Sequence, residues 1–105
     1  MAKHILKGKF YIHSDKNKGH PTWIYYSNYK KNIYKGIKFT SKKGSDRTLL
    51  KHNIDITKPD DSDDKSYAEN KPVVSKRKYI GSKELTNFRI NKEDKPIINK
   101  IKRKK

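Results

Sequence analysis

The chain has 105 residues, and its 28 Lys and Arg residues outnumber its 11 Asp and Glu residues to give a formal net charge of +17 at pH 7. Hydrophobic residues make up only 30% of it and cysteine is absent, which excludes a large core, disulfide bonds and thiolate metal sites. We therefore expect one small domain over residues 1–105, with a thin core and a polyanionic partner.

Three strands are predicted in the first part of the chain. The first, at residues 9–13, precedes a polar loop at residues 14–19. Residues 22–27 and 33–40 are runs of β-branched and aromatic residues on either side of a polar break, which is the pattern of a β-hairpin. Because residues 22–27 are apolar on both faces, we expect this strand at the centre of a sheet.

The middle of the chain is more polar. Residues 41–47 predict a loop with Gly44 at positive φ, and residues 48–54 predict a short fourth strand. Residues 58–70 contain five of the eleven acidic residues and almost no apolar ones, so we expect a flexible acidic loop there. Its aspartates lack the glycine turn and the distal Glu of a calcium loop, so no metal site is predicted.

The C-terminal part predicts extended segments and then a helix. Pro72 is expected to open an edge strand, Gly81 to interrupt the chain, and residues 85–90 to form the last strand. Asn91 or Asp94 can cap the helix that follows. Three isoleucines recur on one face of this helix: Ile97, Ile98 and Ile101. Together these elements predict a mainly β domain of five to six short strands with a short C-terminal helix.

The motifs around the hairpin resemble the PemK/MazF-like toxins. Gly19-His20-Pro21, the two predicted strands and Thr40-Ser41 are similar to that family's loop ending in Gly and Arg-Pro, its strand–turn–strand and its Thr-Ser step. The Asp94-Lys95 pair near the predicted helix is also similar. The resemblance implies a small SH3-like barrel that cleaves single-stranded RNA without a metal or other cofactor. It also implies a homodimer and pairing with an antitoxin or another protein partner.

The main departure from the family is His20, which stands where the family has Arg, and the family's upstream Glu-Gln is missing. Cleaving RNA through its own 2′-hydroxyl needs an acid, a base and a cation near the phosphate. His20 could act as acid or base, because histidine titrates near neutral pH, and Thr40 or Ser41 could orient the phosphate. The same departure equally suits a barrel that has lost catalysis and only binds nucleic acid.

The expected nucleic-acid-binding residues are cations and aromatic side chains of the hairpin and loops. The cations are Lys18, Lys38, Lys42, Lys43, Arg47, Lys76, Arg77, Lys78 and Arg89, together with the basic tail at residues 100–105. Tyr26 and Tyr34 are expected to stack on unpaired bases, and Trp23 and Tyr25 are further candidates. At least half of these aromatic rings must instead fill the core, because little else is available to do so.

Three functions follow from these observations. The first is an RNA-cleaving toxin, and the second is a plasmid or phage accessory module that binds RNA or DNA without cutting it. The third is an inhibitor that places its basic face on a nucleoprotein complex. A lysine-rich surface that reflects only codon usage is the alternative without a binding role. No apolar run long enough for a bilayer and no secretion signal is evident, so we expect a cytoplasmic protein without a membrane partner.

Overall fold

Seven strands and one short α-helix are present in the part of the chain that the structure, a computed structural model, describes: residues 7–13, 21–58, 65–76 and 80–103. The strands are β1 Phe10–His13, β2 Pro21–Asn28, β3 Ile33–Thr40, β4 Arg47–Leu49, β5 Tyr67–Glu69, β6 Val73–Lys76 and β7 Ile80–Glu84. A 3-10 turn at Lys92–Asp94 leads into helix α1 at Lys95–Lys102. The predicted mainly β domain with a C-terminal helix is confirmed.

The strands form one antiparallel sheet in the order β4-β5-β3-β2-β1-β7, and β6 pairs with β3 outside this path. β5 and β6 follow one another along the same edge of β3, because Tyr67 is opposite Thr40 and Val73 is opposite Gly36. β4 and β7 end the path without pairing to each other among the described residues. The sheet is therefore open there, and the predicted barrel is not confirmed.

The predicted hairpin of β2 and β3 is confirmed, and polar side chains of its turn support it. Asn28 accepts a hydrogen bond from the Lys31 amide through Oδ1 at 3.0 Å. Asn32 takes a φ of 56°, a conformation that asparagine tolerates better than most residues. A Cβ on Gly36 would lie 2.7 Å from Thr22 Cγ2 and 2.8 Å from the Trp23 carbonyl oxygen. Glycine therefore allows the two central strands to approach closely.

Apolar side chains cover both faces of the hairpin, as expected for a central strand. The larger cluster contains Phe10, Ile37, Phe39, Leu50, Ile54, Ala68, Ile98 and Ile101, all buried. The smaller cluster, on the other face, contains Tyr11, Ile24, Tyr34 and Ile80, with Val73 packed against it. Helix α1 closes the larger cluster with the predicted isoleucine face, since Ile98 and Ile101 are buried and Ile97 is half-buried.

The strand predictions for the second half of the chain are partly wrong. The fourth strand is shorter than residues 48–54, and the predicted acidic loop at residues 58–70 contains strand β5, whose Ala68 is buried. Of that loop, residues 59–64 lie outside the described residues. The last strand is β7 rather than residues 85–90, which form a turn with a single bridge from Phe88 to Asp55. Phe88 and Ile90 still pack on the larger cluster, as their spacing predicted.

Two glycine predictions are also wrong. Gly81 lies inside β7 instead of interrupting the chain. Among the described glycines only Gly8 has a positive φ, so Gly44 does not use the freedom that its loop suggested. In the described ranges, no helix is long and apolar enough to cross a bilayer.

Candidate nucleic-acid interface

Three half-buried aromatic rings of β2 carry lysine ammonium groups in cation–π geometry. Lys102 Nζ lies 5.7 Å from the ring centroid of Trp23 and 5.5 Å from that of Tyr25. Lys35 Nζ lies 5.1 Å from the ring centroid of Tyr26. We call these five residues the aromatic–lysine surface. Each ring is half-buried, so its scaffold holds it in place while part of it stays accessible.

Local irregularity and long-range packing build this surface. The β2–β3 register shifts between Ile24 and Tyr26, so Tyr25 is an extra residue in β2. Such a bulge changes the direction of neighbouring side chains. Trp23 and Tyr25 come within 6.3 Å of each other, centroid to centroid, and both pack against the larger cluster. Tyr26 is opposite Lys35 in the register, which explains their contact as a cross-strand pair.

A cavity of about 390 Å³ opens beside Trp23. Its apolar lining comes from Phe10, Trp23, Leu85, Phe88 and Ile90, and its polar lining includes Lys9, Arg89, Lys95, Thr86 and the Glu84 carboxylate. The ring centroid of Phe10, one of the lining residues, lies 5.5 Å from that of Phe39 and 5.9 Å from that of Phe88. Lys9 Nζ lies 3.9 Å from Glu84 Oε2. We call this the Trp23 cavity.

The charge around these rings is strongly positive. Lys35 and Lys102 belong to the aromatic–lysine surface. The Trp23 cavity is lined by three further cations, Lys9, Arg89 and Lys95, and by one acidic residue, Glu84. Burial raises the pKa of the Tyr25 phenol above its ordinary value. The arrangement offers apolar ring surface for bases and cations for phosphates, which is what a site for an unpaired nucleic-acid strand requires.

Five of the residues predicted to bind nucleic acid lie at this site: Trp23, Tyr25, Tyr26, Arg89 and Lys102 of the basic tail. Tyr26 belongs to the aromatic–lysine surface, and Arg89 lines the Trp23 cavity. Tyr34 does not lie there, because it is fully buried in the smaller cluster and is one of the rings that make the core. It is therefore not available to stack on a base. On the face of β3 opposite Ile37 and Phe39, Tyr34 packs with Tyr11, Ile24 and Ile80, and Val73 packs against this cluster.

Burial of Tyr34 predicts a loss of stability at alkaline pH. Removal from water raises the pKa of Tyr34 from 10.0 to about 12, partly offset by its hydrogen bond with Ser75. Between these values the folded chain holds a proton that the unfolded chain has lost, so the free energy of unfolding falls as the pH rises. The contribution is complete below pH 10 and its loss amounts to about 2 to 3 kcal/mol near pH 12.

Urea unfolding at about pH 9 and pH 11.5 checks this expectation. Tyr34→Phe should remove most of the decrease that the wild type shows between the two pH values. Tyr29→Phe is the control, because Tyr29 is 46% exposed in the hairpin turn. An equal decrease in wild type and Tyr34→Phe would contradict the assignment to Tyr34.

Other predicted residues gather after β3, at the end of the hairpin away from its turn. Thr40 Oγ1 accepts a hydrogen bond from the Lys42 amide at 3.3 Å, and Arg47 Nη1 donates to the Lys42 carbonyl at 3.1 Å. Ser41 and Lys43 are exposed in the same loop. A second cavity of about 300 Å³ lies here, lined by Gly44, Ser45, Asp46, Arg47 and Glu69.

The remaining predicted residues are not brought together. Lys38 is half-buried in β3, and Lys76 is opposite Ile33 at the turn end of the hairpin. Ile33 and Thr40 are seven residues apart along β3, or about 23 Å. Lys76 and the Thr40 loop therefore cannot contact one phosphate. His20, Lys18, Arg77, Lys78 and residues 104 and 105 of the basic tail lie outside the described residues.

The cations of this site that the sequence did not single out are Lys9, Lys35 and Lys95. Cross-strand pairing in the predicted hairpin could have identified Lys35. The contact of Lys102 with β2 depends on how α1 packs across the sheet, which no local signal shows. No cluster of three or more metal-binding side chains is found among the described residues. Comparison with protein-family models, with curated proteins and with solved structures finds no match.

Proposed function

We propose that the protein binds single-stranded RNA through the aromatic–lysine surface and the cations of the Trp23 cavity. The observation that carries the proposal is the set of cation–π contacts at 5.1 to 5.7 Å on half-buried rings of one strand. A ring held in this way loses little conformational entropy when a base stacks on it. The lysines beside the rings would meet the phosphates that flank the stacked base.

The choice of an unpaired strand follows from the rings, since bases in a duplex are already stacked on each other. Stacking on aromatic side chains is worth about 1 to 3 kcal/mol per base and tolerates any sequence. We choose RNA over DNA because of the resemblance to PemK/MazF-like toxins. A barrel architecture for this chain is proposed on the same ground.

Titration with RNA at several salt concentrations tests the proposal. Trp23 is the only tryptophan of the chain, so its fluorescence reports directly on this surface. An oligouridylate of about ten nucleotides should quench it. If three to five of the five cations meet phosphates, affinity should fall about 15- to 100-fold between 50 and 200 mM salt. Quenching only by DNA, or by neither nucleic acid at 50 mM salt, would contradict the proposal. The second result would favour the inhibitor hypothesis.

Cleavage of the bound RNA is the second candidate function. Thr22 is opposite Lys38 in the register, so the start of β2, which follows His20 in the sequence, lies at the same end of the hairpin as Thr40. Cleavage would need an acid–base residue close to a phosphate-orienting hydroxyl. Incubation of long RNA with the protein in EDTA tests it, and His20→Ala should abolish any cleavage while binding persists. Intact RNA with the wild type would leave a binding module without catalysis.

A further inference from the structure

The Trp23 cavity combines features that RNA-backbone binding alone does not explain. On a chain with 28 basic and 11 acidic residues, a carboxylate beside phosphate-binding cations weakens their attraction for phosphate. Glu84 nevertheless lines this cavity together with Lys9, Arg89 and Lys95. Its side chain is 36% exposed, so it is partly shielded from solvent. A carboxylate in this position is useful to a ligand that offers hydrogen-bond donors.

We propose that the Trp23 cavity binds one base of the RNA strand and that Glu84 makes this subsite select guanine. The inference rests on the proposed function and adds to it a preferred base. The cavity has a volume of about 390 Å³, and its lining includes Trp23, Phe10 and Phe88. The ring centroids of Phe10 and Phe88 lie 5.9 Å apart. That volume lies at the lower end of the usual range for small-molecule sites, which suits a single nucleotide.

Hydrogen-bond chemistry decides between the bases. An ionised carboxylate only accepts hydrogen bonds, and a lysine only donates them. Guanine presents an acceptor, O6, followed by two donors, N1–H and the N2 amino group, along one edge. Lys9 Nζ and Glu84 Oε2, 3.9 Å apart, match that sequence of one donor and one carboxylate. Cytosine and adenine offer the carboxylate only one amino group, and uracil surrounds its single N–H with two carbonyl oxygens that repel it.

The rim of the cavity supplies the remaining charge. Arg89 and Lys95 are exposed and line the opening, where the phosphates on either side of an inserted base would pass. Trp23 serves both the cavity and the aromatic–lysine surface, because Lys102 contacts the same ring. A base in the cavity would therefore continue a row of stacked bases along β2.

Four oligouridylates that differ only at one central position test the proposal, with G, A, C or U placed there. Trp23 fluorescence gives the affinity of each for the full chain. We expect the G-containing strand to bind about tenfold more tightly than the all-U strand. Glu84→Gln should reduce this preference to about threefold or less, while the all-U strand binds more tightly because a negative charge beside the phosphate-binding cations is lost. Glu93→Gln is the matched control, because it removes one exposed carboxylate outside the cavity and should keep the preference.

Each outcome has a separate meaning. Equal affinity of the wild type for all four strands, or a preference for another base, overturns base selection while RNA binding stands. A guanine preference that survives in Glu84→Gln overturns the role of Glu84 and leaves the carboxylate as the ion-pair partner of Lys9. Failure of all four strands to bind overturns the proposed function, and the guanine subsite falls with it. The wild-type comparison does not depend on whether any variant folds.

Discussion

Replacing Trp23 with alanine is expected to weaken binding of single-stranded RNA by about tenfold to a hundredfold. The substitution removes the ring that borders both the aromatic–lysine surface and the Trp23 cavity, and it also removes the ring partner of Lys102. Because the variant lacks tryptophan, fluorescence anisotropy of labelled RNA provides the measurement. Trp23→Phe should recover part of the affinity, since a phenyl ring still offers a face for stacking.

Tyr29→Ala is the control for Trp23→Ala. Tyr29 is an exposed aromatic residue in the hairpin turn and does not belong to the aromatic–lysine surface, so its loss should change affinity less than about twofold. Circular dichroism shows whether Trp23→Ala remains folded, because Trp23 also packs against the larger cluster. A folded Trp23→Ala variant that keeps wild-type affinity and salt dependence would mean that the lysines bind phosphate without any stacking.

The comparison of wild type with Trp23→Ala also distinguishes base stacking from binding by positive charge alone. Charge alone would attract any polyanion, and its affinity would fall with salt for the wild type and for Trp23→Ala alike. Stacking adds a contribution that does not depend strongly on salt and that a chain without bases cannot provide. Heparin, which carries charge but no bases, should therefore bind both proteins equally well.

Local sequence patterns predicted the strands that are stabilised mainly by contacts between residues close in sequence. The hairpin has long runs of β-branched and aromatic residues, and its bounds in the structure differ from the prediction by at most one residue at each end. β5 and β7 were missed for the opposite reason. β5 has three residues, and β7 reads Ile-Gly-Ser-Lys-Glu, which has little strand propensity of its own. β7 exists because it pairs with β1 and places Ile80 in the smaller cluster.

The residues of the candidate site also divide into those that the sequence could indicate and those that only tertiary packing brings to the site. Tyr26 and Arg89 could be named from composition, but their neighbours in space come from distant parts of the chain. Lys102 reaches Trp23 only because α1 packs on the sheet, and Glu84 meets Lys9 only because β7 pairs with β1. The prediction that Tyr34 stacks on a base was wrong because the alternation of residues in β3 indicates two faces of the strand but not which face is buried. In the structure, apolar clusters bury both faces.

Asp94 is the strongest case of a contact that the sequence could not show, and its replacement predicts the largest loss of stability. Asn91 or Asp94 was expected to cap the helix. Asn91 caps the 3-10 turn instead, accepting from the Glu93 amide at 2.9 Å, and Asp94 makes no side-chain capping bond. The buried Asp94 carboxylate accepts from the amides of Lys51 at 2.8 Å and His52 at 3.1 Å. It thus ties the start of α1 to the segment after β4.

Asp94→Ala should lower the free energy of unfolding by about 3 to 6 kcal/mol, because hydrogen bonds to a charged acceptor are worth about 1.5 to 3 kcal/mol each and two are lost. A domain with this thin a core has about 5 to 10 kcal/mol in total, so the loss would be a large share of its stability. Asp94→Asn should lose about half as much, since its amide oxygen can still accept one of the two bonds. Urea unfolding at neutral pH measures all three proteins.

Glu93→Ala is the matched control for Asp94. Glu93 is exposed, and its carboxylate lies 3.5 Å from His52 Nε2, so its removal breaks a surface contact of the same two segments and should cost less than about 1 kcal/mol. If Asp94→Ala and Glu93→Ala destabilise the chain equally, the buried carboxylate does not hold the helix to the sheet. The aromatic–lysine surface depends on that attachment, because Lys102 reaches Trp23 only when α1 is docked. Asp94→Ala should therefore also lower RNA affinity, whereas Glu93→Ala should leave it unchanged.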